Sequence, residues 1–84
     1  MITPSTNESM NFLRNVYFIA EDTGYGITRI EKKAGVGTGY CATSLRRNSS
    51  PTIRVAKRFA DAIGFTIEEL MLPPKEFRKV YQND

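Results

Sequence analysis

The chain has 84 residues, with 12 Lys or Arg, 9 Asp or Glu, one Cys and neither His nor Trp. That length holds one small domain, residues 1–84, and a domain of this size has little room for a large enclosed pocket. A lone cysteine cannot close an internal disulfide, and with no histidine the sequence argues against a zinc site and lacks a Ser–His–Asp triad. No metal or cofactor is expected, and no small-molecule ligand is evident. Residues 1–9 carry neither a basic start nor an apolar run, so no signal peptide is read there. The longest apolar run, 16–20, falls far short of the roughly 20 residues of a membrane span. The expected location is cytoplasmic, with no membrane partner.

Apolar spacing is helical nearly throughout, which predicts an all-α fold: a compact bundle of five short helices, with room for a short sixth at the C-terminus. The first helix is expected over about 6–22. Ser5 and Glu8 have the spacing of a capping box, and Asn7 or Ser9 are alternative caps. Phe12, Leu13, Val16, Tyr17 and Ala20 form its stripe, and Phe18 and Ile19 widen it, as in a helix buried on more than one side. Gly24 suits a left-handed end. A second helix over about 26–34 offers Tyr25, Ile27, Ile30 and Ala34 to the core, followed by a sharp turn at Gly35. The third, over about 38–46, turns Cys41, Ser44 and Leu45 inward, with Tyr40 at the edge.

Asn48-Ser49-Ser50-Pro51 has the composition of a loop, and Thr52 is a plausible cap for a fourth helix over 53–63. Ile53, Ala56, Phe59, Ala60 and Ile63 recur there at three and four. Thr66 and Glu69 form a capping box for a brief fifth helix, stapled by Phe65 and Leu70. Pro73-Pro74 then interrupts the chain. The core is therefore placed at about 6–72, and residues 73–84 form a tail with Phe77, Val80 and Tyr81 at helical spacing.

Charge is unevenly spread. Residues 23–60 hold eight basic side chains and one acid, Glu31, a local +7, whereas the rest of the chain carries −4. This fits a surface facing a polyanion as well as it fits a set of solvated helix faces. The acidic pairs Glu21-Asp22 and Glu68-Glu69 sit at helix ends, with no cleft to serve as paired catalytic carboxylates. The glycines of 24–26 and 35–39 lack the preceding strand of a nucleotide loop. No enzyme activity is expected.

Four segments occur in order: Ile30…Ala34-Gly35-Val36-Gly37, then Ser50-Pro51-Thr52, then Phe59-Ala60-Asp61-Ala62-Ile63-Gly64, then Phe65-Thr66-Ile67-Glu68-Glu69-Leu70. Together they resemble the lambda-repressor-like helix-turn-helix family over about residues 12–72, with 35–39 most like phage repressors. Ser44-Leu45 also resembles antitoxin-type members. Four positions depart from the pattern. Gly26-Ile27 stand where Gln or Thr is usual, Glu31 replaces the usual Ala, and Gly39 falls on the third helix, where glycine costs ~1 kcal/mol against alanine.

The resemblance implies a sequence-specific DNA-binding regulator, a repressor of bacterial, phage or mobile-element origin, with the third helix in the major groove of double-stranded DNA. Thr38, Gly39, Ala42 and Thr43 match the base-facing positions, and Arg46 is a base or phosphate contact. Ile27 and Thr28 at the start of the second helix, together with Arg47, Asn48, Ser49, Ser50, Thr52 and Arg54, are the phosphate candidates. For Arg46 and Arg47 the plainer reading is a cation at a helix C-terminus, for Arg54 a solvated face of the fourth helix, and for 48–50 ordinary turn chemistry. Cys41 reads as a small core residue. A homodimer on a two-fold operator is expected, with Leu70, Met71, Leu72, Phe77 and Tyr81 as contact candidates; Phe77 and Tyr81 are alternatively aimed back onto the first helix. An antitoxin-like or other protein-interaction module and a recombination accessory factor are the alternatives.

Overall fold

The longest helix organises the rest. In the computed structural model, which describes residues 5–47 and 49–83, α1 spans Ser5–Thr23. Against it pack α2 (Ile27–Ala34), α3 (Tyr40–Arg47), α5 (Ile67–Leu70) and α6 (Pro74–Asn83), while α4 (Ile53–Ile63) lies on α2 and α5. The described residues are all helix and connecting turns, without a strand. The wide apolar face of α1 explains this arrangement: Phe12, Leu13, Val16, Ile19 and Ala20 are all buried, too many for one neighbour to cover. They meet Ile30, Cys41, Phe59, Leu70 and Phe77, each exposed by 1% or less. Phe12 and Phe59 pack edge to face with centroids 6.3 Å apart.

The local signals at helix ends act as their chemistry dictates. Gly24, Gly35 and Gly64 close α1, α2 and α4 with φ of 69°, 77° and 81°. The Thr52 hydroxyl accepts from the Val55 N–H, and Thr66 and Glu69 form a reciprocal capping box. The proposed caps of α1 at Ser5 and Asn7 involve side chains outside the described residues.

The expected short sixth helix is present as α6. Pro74 occupies the first position of α6, where its missing N–H and fixed φ suit a helix start. Phe77 is completely buried, and with Phe18, Phe65 and Tyr81 it makes an aromatic cluster whose ring centroids lie 5.3–6.4 Å apart. The Tyr81 hydroxyl donates to Asp22 at 2.6 Å, and the Arg78 guanidinium lies over the Phe18 ring. The core therefore extends into this sixth helix, which folds back onto α1.

Three other expectations need correction. Tyr25 is 42% exposed, because it precedes α2 and its ring lies under the Arg29 guanidinium. Ile53 is 81% exposed: it opens α4 and is left uncovered, although its spacing matches Ala56, Phe59 and Ala60. Gly26 is the N-cap of α2, not its first residue, with φ 89° and ψ 140°.

Candidate nucleic-acid interface

The connection from α2 to α3 is longer than three residues. It comprises Gly35–Gly39. Gly35 N–H donates to the Lys32 carbonyl and Val36 N–H to that of Glu31, the pairing that ends a helix through a left-handed residue. Gly39 then takes φ 87°, and α3 begins one residue later. Gly39 is thus not a helix-interior glycine: it supplies a backbone conformation that side-chain-bearing residues avoid. Its carbonyl accepts from the Thr43 N–H, the first bond of α3.

Glu31 holds this junction from within. It is 1% exposed, and its two carboxylate oxygens accept separately, Oε1 from the Gly39 N–H and Oε2 from the Cys41 N–H, each at 2.9 Å. Helix starts leave N–H groups without intrahelical partners and carry a partial positive charge, so a carboxylate suits this place on both counts. An Ala at this position could do neither. The same carboxylate lies beside the Cys41 thiol, which burial first and Glu31 second push up to about 12. Tyr17 is raised as well, by burial and then by Cys41 and Glu31.

Glu31 was legible as an inward position, since 27, 30, 31 and 34 follow the three-four spacing of a buried helix face. Its residue type points the other way, because an acid ordinarily faces water.

With Cys41 and Ser44 inward, the remaining face of α3 is free. Thr38, Ala42 and Arg46 are exposed, and Gly39 and Thr43 are half-buried. Along one flank of α3 runs an open depression of about 380 Å³, lined by Gly37, Thr38, Gly39, Tyr40, Thr43, Ser44, Arg47, Ser49 and Ser50. The structure therefore brings together Thr38, Gly39 and Thr43 from the base-facing set and Arg47, Ser49 and Ser50 from the phosphate set. Ala42 and Arg46 do not line it. The Ser50 hydroxyl accepts from that of Ser9 at 2.8 Å, tying the start of α1 to this edge. Asn48 lies outside the described residues.

The other candidates are dispersed. Thr28 is exposed at the start of α2, whereas Ile27 is half-buried and packs on the core. Thr52 spends its hydroxyl on capping α4, and Arg54 is exposed in the first turn of that helix. Its neighbours are engaged elsewhere: Lys57 lies 3.4 Å from Asp61, and Arg58 donates to the Gly35 carbonyl at 3.4 Å. Of the dimer candidates, Leu70 and Phe77 are wholly buried within one chain and have no surface to offer a second copy. Tyr81 is half-buried in the aromatic cluster, and Met71 and Leu72 are half-buried against the core.

Among the described residues no helix is long and apolar enough to cross a membrane, and no three His, Cys, Asp or Glu side chains gather as metal ligands would. No protein-family model matches the chain, and no curated protein or solved structure matches it.

Proposed function

We propose that this chain is a sequence-specific DNA-binding regulator that lays α3 in the major groove. The observation that carries the reading is how α3 is held. Its inner face is fixed by Cys41, Ser44 and the Glu31 carboxylate, while Thr38, Ala42, Thr43 and Arg46 remain on the side away from the core. A helix is narrow enough for the roughly 12 Å major groove, hydroxyls can meet either hydrogen-bond pattern there, and small side chains allow close approach. Two cations of the +7 segment, Arg46 and Arg47, stand in its last turn. Arg47, Ser49 and Ser50 flank the helix where a sugar-phosphate strand would run, and Arg54 adds charge beyond them.

One eight-residue helix reads few base pairs, so the regulator acts as two copies on a two-fold site. Met71, Leu72 and Tyr81 are the contact candidates with surface remaining. Bound over a promoter, such a complex represses by excluding polymerase.

Selection of bound sequences from a random DNA pool tests this directly. One recurrent two-fold sequence, bound more weakly as salt rises, is expected. A pool that stays random, with no salt-dependent retention of DNA, would overturn the reading in favour of a protein-interaction module.

A further inference from the structure

We propose that Glu31 is a positioning residue for DNA reading: its buried carboxylate, by bridging the Gly39 and Cys41 amides, sets the angle at which α3 is presented. The inference rests on the DNA-binding reading but concerns a residue that never touches DNA. Three observations converge on it. The turn before α3 contains three glycines, at 35, 37 and 39, and no added Cβ at Gly37 or Gly39 would meet another atom within 4 Å. Val36 anchors the middle of this segment on the core, but at Gly37 and Gly39 no side chain packs to fix the approach to α3. Gly39 precedes the helix, so no intrahelical bond holds its N–H, and Glu31 is the partner it has. Finally, Glu31 belongs to α2, whose neighbours Ile30 and Ala34 are buried, so the carboxylate ties the glycine-rich turn to a packed helix.

The arrangement also assigns the start of α3 a task. Two of its amides are occupied from inside the protein by a negative group, so this end is not a phosphate socket. Phosphate contacts fall to the flank bearing Arg47, Ser49 and Ser50, and the first turn of α3 is left to read bases. A loose first turn would still allow backbone contacts, because those depend on charge more than on angle. It would spoil base contacts, which require side chains within hydrogen-bond reach.

Glu31→Gln is the sharp variant. It keeps size and shape but replaces one acceptor oxygen by an NH2 group, which then faces an amide N–H. Two duplexes serve as probes, one carrying the site selected from the random pool and one of random sequence. Affinity for the selected duplex should fall by about tenfold or more, the scale of one hydrogen bond to a charged group, while affinity for the random duplex stays within about twofold. Equal loss on both, or no loss on either, overturns the inference, and a parent protein that binds both duplexes keeps the DNA-binding reading intact in that case. A parent that binds neither overturns both. Amide exchange in the parent decides the matter should Glu31→Gln fail to fold. The Gly39 amide should exchange as slowly as those of the core helices, and exchange at the rate of an open turn would overturn the inference.

Discussion

The side chain of Asn15 on α1 donates to the backbone carbonyl of Leu70 at 2.8 Å and, from the same nitrogen, to that of Leu72 at 2.9 Å. Asn11, one turn earlier, reaches the Met71 carbonyl at 3.3 Å. α5 is four residues long and too short to satisfy its own C-terminal carbonyls, so α1 does this from outside. Asn15 is itself 1% exposed, which makes both sides of the arrangement dependent on each other. Asn15→Leu should destabilise the protein by ~2 kcal/mol or more, since it leaves buried carbonyls without donors. Asn15→Asp should be worse at neutral pH, because a carboxylate would then face two carbonyl oxygens. Urea unfolding measures both, and an Asn15→Asp protein as stable as the parent would contradict the assigned hydrogen bonds.

The glycine at position 39 offers a test by sign. Inside a helix, Gly39→Ala would stabilise by ~1 kcal/mol. At φ 87°, with open space around the added Cβ, the same change should instead destabilise by about 1 kcal/mol through backbone strain alone. Gly35→Val, at φ 77°, should cost at least as much. Thermal melts of the two variants decide; a Gly39→Ala protein that melts above the parent would place the residue within α3.

These two cases mark where the sequence was readable. Ends governed by chemistry a few residues away were legible: the Thr52 cap, the Thr66–Glu69 box and the closures at Gly35 and Gly64 all depend on neighbours within one turn. The first five helices and the buried stripe of α1 followed from spacing, with the sixth left as an addition. What escaped was set by partners distant in the chain. Glu31 meets Gly39 and Cys41 only after the turn folds, and Asn15 meets residues more than fifty positions away. Neither is recognisable as buried from its own type. Ile53 fails in the opposite direction: its spacing is right, but periodicity states which side a residue faces and not whether anything covers it. The face of α3 was readable residue by residue, whereas its depression, joining Thr38 and Thr43 to Arg47 and Ser50, required the loop to be placed.

Cys41 gives a pH dependence of definite sign. Its thiol is raised from the ordinary 9.0 to about 12, first by burial and then by Glu31. The folded protein therefore keeps a proton that the unfolded chain releases above pH 9.0. Its contribution to stability is complete below that pH and is lost as the pH climbs toward about 12. Cys41→Ala abolishes this term and one of the smaller contributions to the raised Tyr17, while the burial that chiefly raises Tyr17 and the Asp22 bond that raises Tyr81 stay in place. Denaturant titrations at a series of alkaline pH values should show a shallower decline for Cys41→Ala than for the parent. Parallel declines would mean that the native thiol ionises as readily as an unfolded one.

The cations of α3 and α4 should separate by what each already faces. Arg47 lines the depression beside Ser49 and Ser50, and Arg54 is exposed in the first turn of α4. On the DNA-binding reading each lies where it can neutralise one phosphate and release the counterion condensed there. Arg47→Gln and Arg54→Gln should then weaken binding alike on selected and random duplexes, and each should flatten the dependence of log K on log salt by about one. Lys57 is different. Asp61 lies 3.4 Å away, and although so exposed a pair adds little to stability, the two charges cancel locally. Lys57→Gln should move the slope much less. Arg58 is tied to the Gly35 carbonyl at the end of α2, so Arg58→Gln should show more in the melting temperature than in the slope. Titrations at several salt concentrations with all four variants distinguish these roles. Slopes that stay unchanged in both Arg47→Gln and Arg54→Gln would remove this flank from the interface. Equal flattening in all four variants would mean that overall charge, and not the placement of these side chains beside α3, governs the attraction.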